Sequence, residues 1–380
     1  MLSSGTAAFA APTVDFPSWA DVQKAKANQS AKQAEVTKIQ GILTQLSAQA
    51  DALGKVAEQK AELYNQARDA LDAATKKTGR LQAQADAAQA KAAKSSKRAS
   101  ALIAQLAQSG GGNISLGVLF GSAKKTDQLL STLGTASRLS ESSAEILKTA
   151  QFDKNTASSL AANARVAEEQ RQSLSDGAQA ANDTATKASD AATTQLAQQK
   201  AAATTMYSQL ASLKNTTAST EEQYQLGVEE EARQNAVKNP PSAPIINPNP
   251  PLPVAGAVGG AISFAEAQLG KPYRLGGAGP TYWDCSGLTL MSYNAVGVGI
   301  GTHSATNQYN TLKSRGRLVN LSQVLPGDLL FYTAGGGVMY HVAMAVGGGR
   351  MIEAPRPGVP VRIVAIRYGD LMPYVGRPTG

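Results

Sequence analysis

Residues 270–288 read GKPYRLGGAGPTYWDCSGL and hold Cys285, the one cysteine among 380 residues. A lone thiol cannot close an internal disulfide, so it serves either chemistry or burial. Gly and Pro punctuate residues 271–283. Asp284 then makes a good N-cap, and Leu288, Met291 and Ala295 recur at helical spacing. The pattern predicts a helix with Cys285 in its first turn. Unpaired N–H groups and the helix dipole favour an anion there, whereas the Asp284 charge opposes one. Position alone does not make a thiolate, so a base is needed.

Two histidines exist to supply it, His303 and His341. His341 opens HVAMAVGGGRMIEAP, two apolar runs around three glycines, which predicts a β-hairpin. If Gly347–Gly349 form a three-residue loop, Val346 faces Arg350 and Ala343 faces Glu353. Glu353 then shares a face with His341 as a diagonal neighbour, roughly 7–8 Å away at the backbone and within reach of a contact. A two-residue loop shifts the register and puts the pair on opposite faces. Together Cys285, His341 and Glu353 would supply a nucleophile, a base and a group that orients the base.

The rest of the chain has another texture. Most of the first 240 residues are Ala, Gln, Ser, Thr, Lys and Asp, too poor in large apolar groups for a globular core of that size. Val36, Ile39, Leu43, Leu46, Ala50, Leu53 and Ala57 step by 3 and 4, and the register continues to Leu106, with polar breaks at Lys60, Thr78 and Ser95. Such a narrow stripe predicts a coiled coil, about 107 Å long at 1.5 Å per residue. A second seam runs from Ile146 to Ala192, shifts by one position at Leu196, and resumes from Ala203 to Leu213. Two seams of similar length predict an antiparallel hairpin over residues 16–238, the alternative being that each helix pairs with another molecule. Residues 109–134 between them form an apolar tip carrying Leu119, Phe120 and Leu130, either a self-packed cap or a docking surface. Seven prolines within residues 239–253 predict a stiff linker, 239–254, and a separate globular domain follows over 255–380.

The N-terminus, residues 1–15, carries Ala8-Phe9-Ala10, the small-x-small form of a cleavage site without a basic region before it, and is expected to be the remainder of an export signal. No apolar run approaches the roughly 20 residues of a membrane span. Net charge is +8, and residues 240–380 hold ten Lys and Arg against five Asp and Glu. That balance suits an anionic partner such as cell wall, while the lack of a basic run or aromatic-interleaved patch argues against nucleic acid. One Cys and two His make a conventional zinc site hard to assemble, so no metal or cofactor is expected.

Three ordered motifs, GKPYRLGGAGPTYWDCSGL, LPGDLLFY and HVAMAVGGGRMIEAP, resemble the NlpC/P60 family of cell-wall cysteine peptidases over about residues 258–380. The resemblance implies an α+β chain whose papain-like domain packs a Cys-bearing helix on an antiparallel sheet. It also implies hydrolysis of an amide in a peptidoglycan stem peptide, commonly between D-γ-glutamyl and a diamino acid. Cys285 would be the nucleophile, His341 the base and Glu353 the third polar residue. Tyr273 would point its hydroxyl at the thiol or oxyanion, and Asp284, Ser286 and His303 are candidate substrate contacts. Leu275 stands where the family often has Trp, and Glu353 where it frequently has His. The coiled coil resembles that of division-associated members, secreted proteins whose peptidase is controlled by an FtsE–FtsX-type membrane complex bound to the hairpin. Tethering would let the coil or the linker cover the Cys285 groove. The competing readings are a non-catalytic wall adaptor and an amidase or acyltransferase on the same fold.

Overall fold

The structure is a computed structural model and describes residues 17–108, 126–236, 244, 246, 252–253, 255–335 and 337–379. In chain order the helices are α1 (Trp19–Lys26), α2 (Gln29–Gln108), α3 (Thr126–Lys214), α4 (Ala218–Ala236), α5 (Ala255–Glu266), α6 (Cys285–Asn294) and α7 (Ala305–Ser314). The strands are β1 (Leu318–Asn320), β2 (Leu329–Thr333), β3 (Met339–Gly347), β4 (Arg350–Glu353), β5 (Arg362–Ala365) and β6 (Tyr374–Gly376). Two compact units result, Met1–Asp69 with Gln179–Gly380, and Ala70–Ala178.

In the Ala70–Ala178 unit, α2 and α3 run antiparallel. Thr78 Oγ1 donates to the Ala167 carbonyl at 3.1 Å, and Lys91 meets Asp153 at 3.0 Å. Ala85, Ala92 and Ala99 are buried on one helix, and Ala157, Ala164 and Ala167 on the other. The 3–4 spacing seen in the sequence is therefore the buried stripe, and small side chains let the backbones approach.

In the other unit, Val22, Ile39, Leu43 and Leu46 close on Met206, Leu210 and Leu213, joining α1, the start of α2 and the end of α3. The helical run to residue 236 is not continuous. Asn215 adopts a left-handed φ of 57°, which asparagine tolerates, and breaks it after Lys214. Buried Glu221 of α4 spans the break, accepting from Lys214 Nζ at 2.7 Å and from Thr216 Oγ1 at 2.6 Å.

The same unit holds a six-stranded sheet in the order β1-β6-β2-β3-β4-β5, with every strand pairing antiparallel. Alternate residues serve two cores. Val342, Met344 and Ile352 pack with Ala261, Leu288 and Leu312 of the helices, while Ala343, Ala345 and Met351 pack with Tyr332 and Ile366. The chain is thus largely helical in its N-terminal part and ends in an antiparallel sheet flanked by helices. Of the tip residues, Leu119 and Phe120 lie outside the described residues, and Leu130 lies on α3 with its side chain undescribed.

Candidate active site

Asp284 opens α6 as the residue types predict, its Oδ1 accepting from the Gly287 N–H at 2.7 Å. The same oxygen meets His303 Nε2 at 2.7 Å, and Ser286 Oγ donates to it at 3.3 Å. His303 therefore lies buried against the cap of the cysteine helix. This close approach requires glycine at 287: a Cβ there would fall 2.1 Å from the Gly277 carbonyl oxygen and 2.8 Å from His303 Nε2.

The hairpin reaches the expected pairing by an unexpected route. Gly347 pairs with Arg350, so the turn holds two residues, Gly348 and Gly349, at φ of 59° and 69°. Taken alone, a two-residue turn would separate His341 and Glu353. Val346 bulges out between Ala345 and Gly347, and the extra residue restores the register, with Met344 opposite Ile352. His341 and Glu353 consequently lie on the side of Ala343 and Met351, and His341 Nε2 meets Glu353 Oε2 at 2.9 Å. Both are fully buried.

Burial alone would raise Glu353, but Arg367 and His341 outweigh it and hold the carboxyl well below the usual range. Arg367 donates to Oε1 at 2.7 Å and Arg362 at 3.1 Å. These two arginines are additions that the motifs did not single out. An ionised Glu353 accepts from His341 Nε2–H and leaves Nδ1 as the basic nitrogen. That atom has no hydrogen-bond partner among the described residues, and its nearest carboxylate oxygen is Glu58 Oε1 of α2, at 3.9 Å.

The backbone N–H of Val342, next to His341, favours the ionised form of the Cys285 sulfur. Burial, then the charges of Asp284 and Glu58, push the thiol well above its ordinary range, against the pull of Val342. The helix N-terminus does not prevail in this arrangement. The Tyr273 hydroxyl is raised in the same way, first by burial and then by the charges of Asp284, Cys285 and Glu58.

Helix α2 thus enters the site, and no motif pointed to it. Glu58, Glu62 and Asn65 are buried although they lie off the apolar seam. Their spacing of 4 and 3 is the signal that could have marked a second buried face. Burial raises the Glu58 carboxyl from 4.5 to about 7, with His341 and Arg367 opposing. An acid raised by folding contributes favourably below its unfolded pKa and loses that contribution as pH climbs through the folded value. The unit is therefore expected to lose thermal stability between pH 4.5 and 7 in the wild type, and less in Glu58→Gln. Melting curves of the two chains across that window check this, and parallel curves would refute it.

Comparisons with known proteins bear on the sheet-bearing region. Residues 270–370 match the NlpC/P60 family model. A probable endopeptidase p60 of Listeria grayi is 38% identical over 122 residues, covering 32% of this chain and 23% of that protein. The peptidoglycan endopeptidase RipA of Mycobacterium tuberculosis is 36% identical over 129 residues, 30% of this chain and 26% of that one. The chain thus spans about a quarter of the length of these curated relatives. Among solved structures, the P60 domain of an M. avium subspecies paratuberculosis antigen is 32% identical, covering 33% of this chain and 97% of its own, with a TM-score of 0.30. Residues 270–370 of the chain are a domain of the NlpC/P60 family.

Proposed function

We propose that the chain is a cysteine peptidase of the cell wall that hydrolyses an amide in the peptidoglycan stem peptide, between D-γ-glutamyl and a diamino acid. The observation that carries this reading is the 2.9 Å contact between His341 and an ionised Glu353. It is made one residue from Val342, whose backbone N–H favours the ionised Cys285 sulfur. The p60 and RipA relatives, named as endopeptidases, support the reaction class.

His341 Nδ1 takes the thiol proton, and the thiolate attacks the amide carbonyl carbon. As the tetrahedral intermediate collapses, the C–N bond breaks and the imidazolium returns its proton to the leaving amine. A water deprotonated by the same nitrogen then cleaves the thioester, giving a free carboxylate and restoring the thiol. N–H groups at the start of α6 and the Tyr273 hydroxyl are the donors proposed for the oxyanion. Ser286 and Asp284 are proposed substrate contacts, and His303 acts through Asp284.

The proposed setting is outside the cell, in wall remodelling or daughter-cell separation. No described helix is long and apolar enough to cross a membrane. Residues 255–380 are the proposed peptidase domain, 239–254 its linker, and the apolar tip around Leu119, Phe120 and Leu130 the proposed docking site for an FtsE–FtsX-type complex.

Purified wall digested with the 255–380 fragment and analysed by mass spectrometry tests the reaction. The expected product carries a free diamino-acid amine and a free γ-carboxylate, and it appears faster than with the full chain. Stem peptides left whole would sink the peptidase reading, and a cut at the sugar–peptide amide would replace it with an amidase.

A further inference from the structure

Asn320 closes β1 at the edge of the sheet and pairs with Tyr374 of neighbouring β6. The turn Leu321–Gln323 starts at the next residue, a position from which asparagine ordinarily caps the N–H groups that follow. Asn320 makes no such capping bond. Its side chain, 4% exposed, turns instead to two residues of the proline-rich stretch. Asn320 Oδ1 accepts from the Ile246 N–H at 3.1 Å, and Nδ2 donates to the Pro244 carbonyl at 3.1 Å. The Tyr374 hydroxyl donates to the same carbonyl at 3.2 Å. Ile246 also forms one wall of a cavity of about 400 Å³, whose other walls are Tyr309, Lys313, Gly316, Leu318 and Tyr374.

A carbonyl and the N–H two residues further on face the same side of an extended chain, and a residue of a parallel strand would engage that pair. The Asn320 amide, with one donor end and one acceptor end, does so with a side chain. Such a reader accepts proline at the first position, where only the carbonyl is used. It rejects proline at the second, where an N–H is needed. The sequence meets this demand. Seven prolines fall within residues 239–253, and the longest run without one is Ile245, Ile246 and Asn247. A spacer needed only for stiffness and reach has no use for two isoleucines.

We propose that Asn320 and Tyr374 form a main-chain reading site for an extended, proline-containing peptide, and that its occupant is this chain's own linker at Pro244 and Ile246. The buried amide and the hydroxyl recognise the backbone, while the cavity beside them takes the apolar side chain at the second position. In the sheet, β1 is separated from β3 by β6 and β2, so the site lies apart from His341. Occupancy turns the linker from a free tether into a strap. Between the end of α4 at Ala236 and the docked Pro244 only residues 237–243 remain, which reach roughly 25 Å when fully extended. Released as far as α5 at Ala255, residues 237–254 would reach roughly 60 Å. The site therefore sets how far the sheet can move from α4, and with it the effective concentration of one for the other. The strap is independent of the reaction proposed for Cys285.

The test follows exchange of the Ile246 amide hydrogen in the full-length chain, resolved to single residues by mass spectrometry. In wild type this amide should exchange about tenfold more slowly than in a free peptide of residues 239–253. Asn320→Ala should return it to the free-peptide rate while the β2–β3 amides stay protected. Tyr374→Phe, which keeps the ring and loses one donor to Pro244, should fall between. These results would establish the strap. An Ile246 amide as fast as in the peptide, or one still protected in Asn320→Ala, overturns it. Should Asn320→Ala also expose the β2–β3 amides, Tyr374→Phe decides. Faster exchange with those amides protected then supports the strap, and an unchanged rate overturns it. Protection that grows with protein concentration would assign the occupant to the linker of a second copy and overturn docking within one chain.

Discussion

Replacing Cys285 or His341 by alanine is expected to abolish muropeptide release from purified wall. The thiolate forms the covalent bond, and the imidazole moves the proton in both half-reactions, so neither role has a substitute in the site. Losses on the order of 10³ or more are usual for either member of such a pair. The two variants should be equally inactive, and the double variant no worse than either, because the residues act as a unit. Substantial turnover by Cys285→Ala would end the mechanism proposed here.

Glu353 is expected to matter as much for folding as for rate. Its carboxylate is fully buried, held by His341 on one oxygen and by Arg362 and Arg367 on the other. Removing one partner of a buried ion pair typically costs about 3–5 kcal/mol, since the remaining charge is left without compensation. Glu353→Ala should therefore shift the urea midpoint strongly downward. Glu353→Gln keeps the shape and one acceptor for His341, so it should retain residual activity while still losing the charge that Arg367 faces. A Glu353→Ala chain as stable as wild type would show that the arginines find another partner, and would weaken the orienting role.

The sheet-borne part of the site was legible because its residue types are scarce. With one cysteine and two histidines, the candidates could be enumerated, and the apolar runs around the glycines brought His341 and Glu353 to one side. The bulge at Val346 left no mark, since any small apolar residue can sit in or out of a ladder. Arg362 and Arg367 were not legible either, because their reach to Glu353 depends on how β5 returns beside β4. The stripe of Glu58, Glu62 and Asn65 escaped for a different reason. Polar residues off an apolar seam read as a solvated face, and sequence does not say whether that face meets water or another part of the same chain. The interruption at Asn215 had the same character, a single left-handed residue in an otherwise helical run.

The turn of the β3–β4 hairpin carries a consequence for how this domain can change. A two-residue turn and a one-residue bulge cancel, so the meeting of His341 with Glu353 depends on chain length between them as well as on which residues they are. Deleting Val346 would remove the bulge and leave a plain two-residue hairpin with Ala343 still opposite Glu353, whereas inserting one residue into either strand that no bulge absorbs would rotate Glu353 to the far face while leaving every proposed catalytic identity intact. Substitution or loss of Val346 should be tolerated, substitution of Gly348 or Gly349 should be strained by their left-handed φ, and an unabsorbed insertion within a strand should be tolerated hardly at all. The site is written partly as an arithmetic parity, and a search by residue identity alone would not detect its loss.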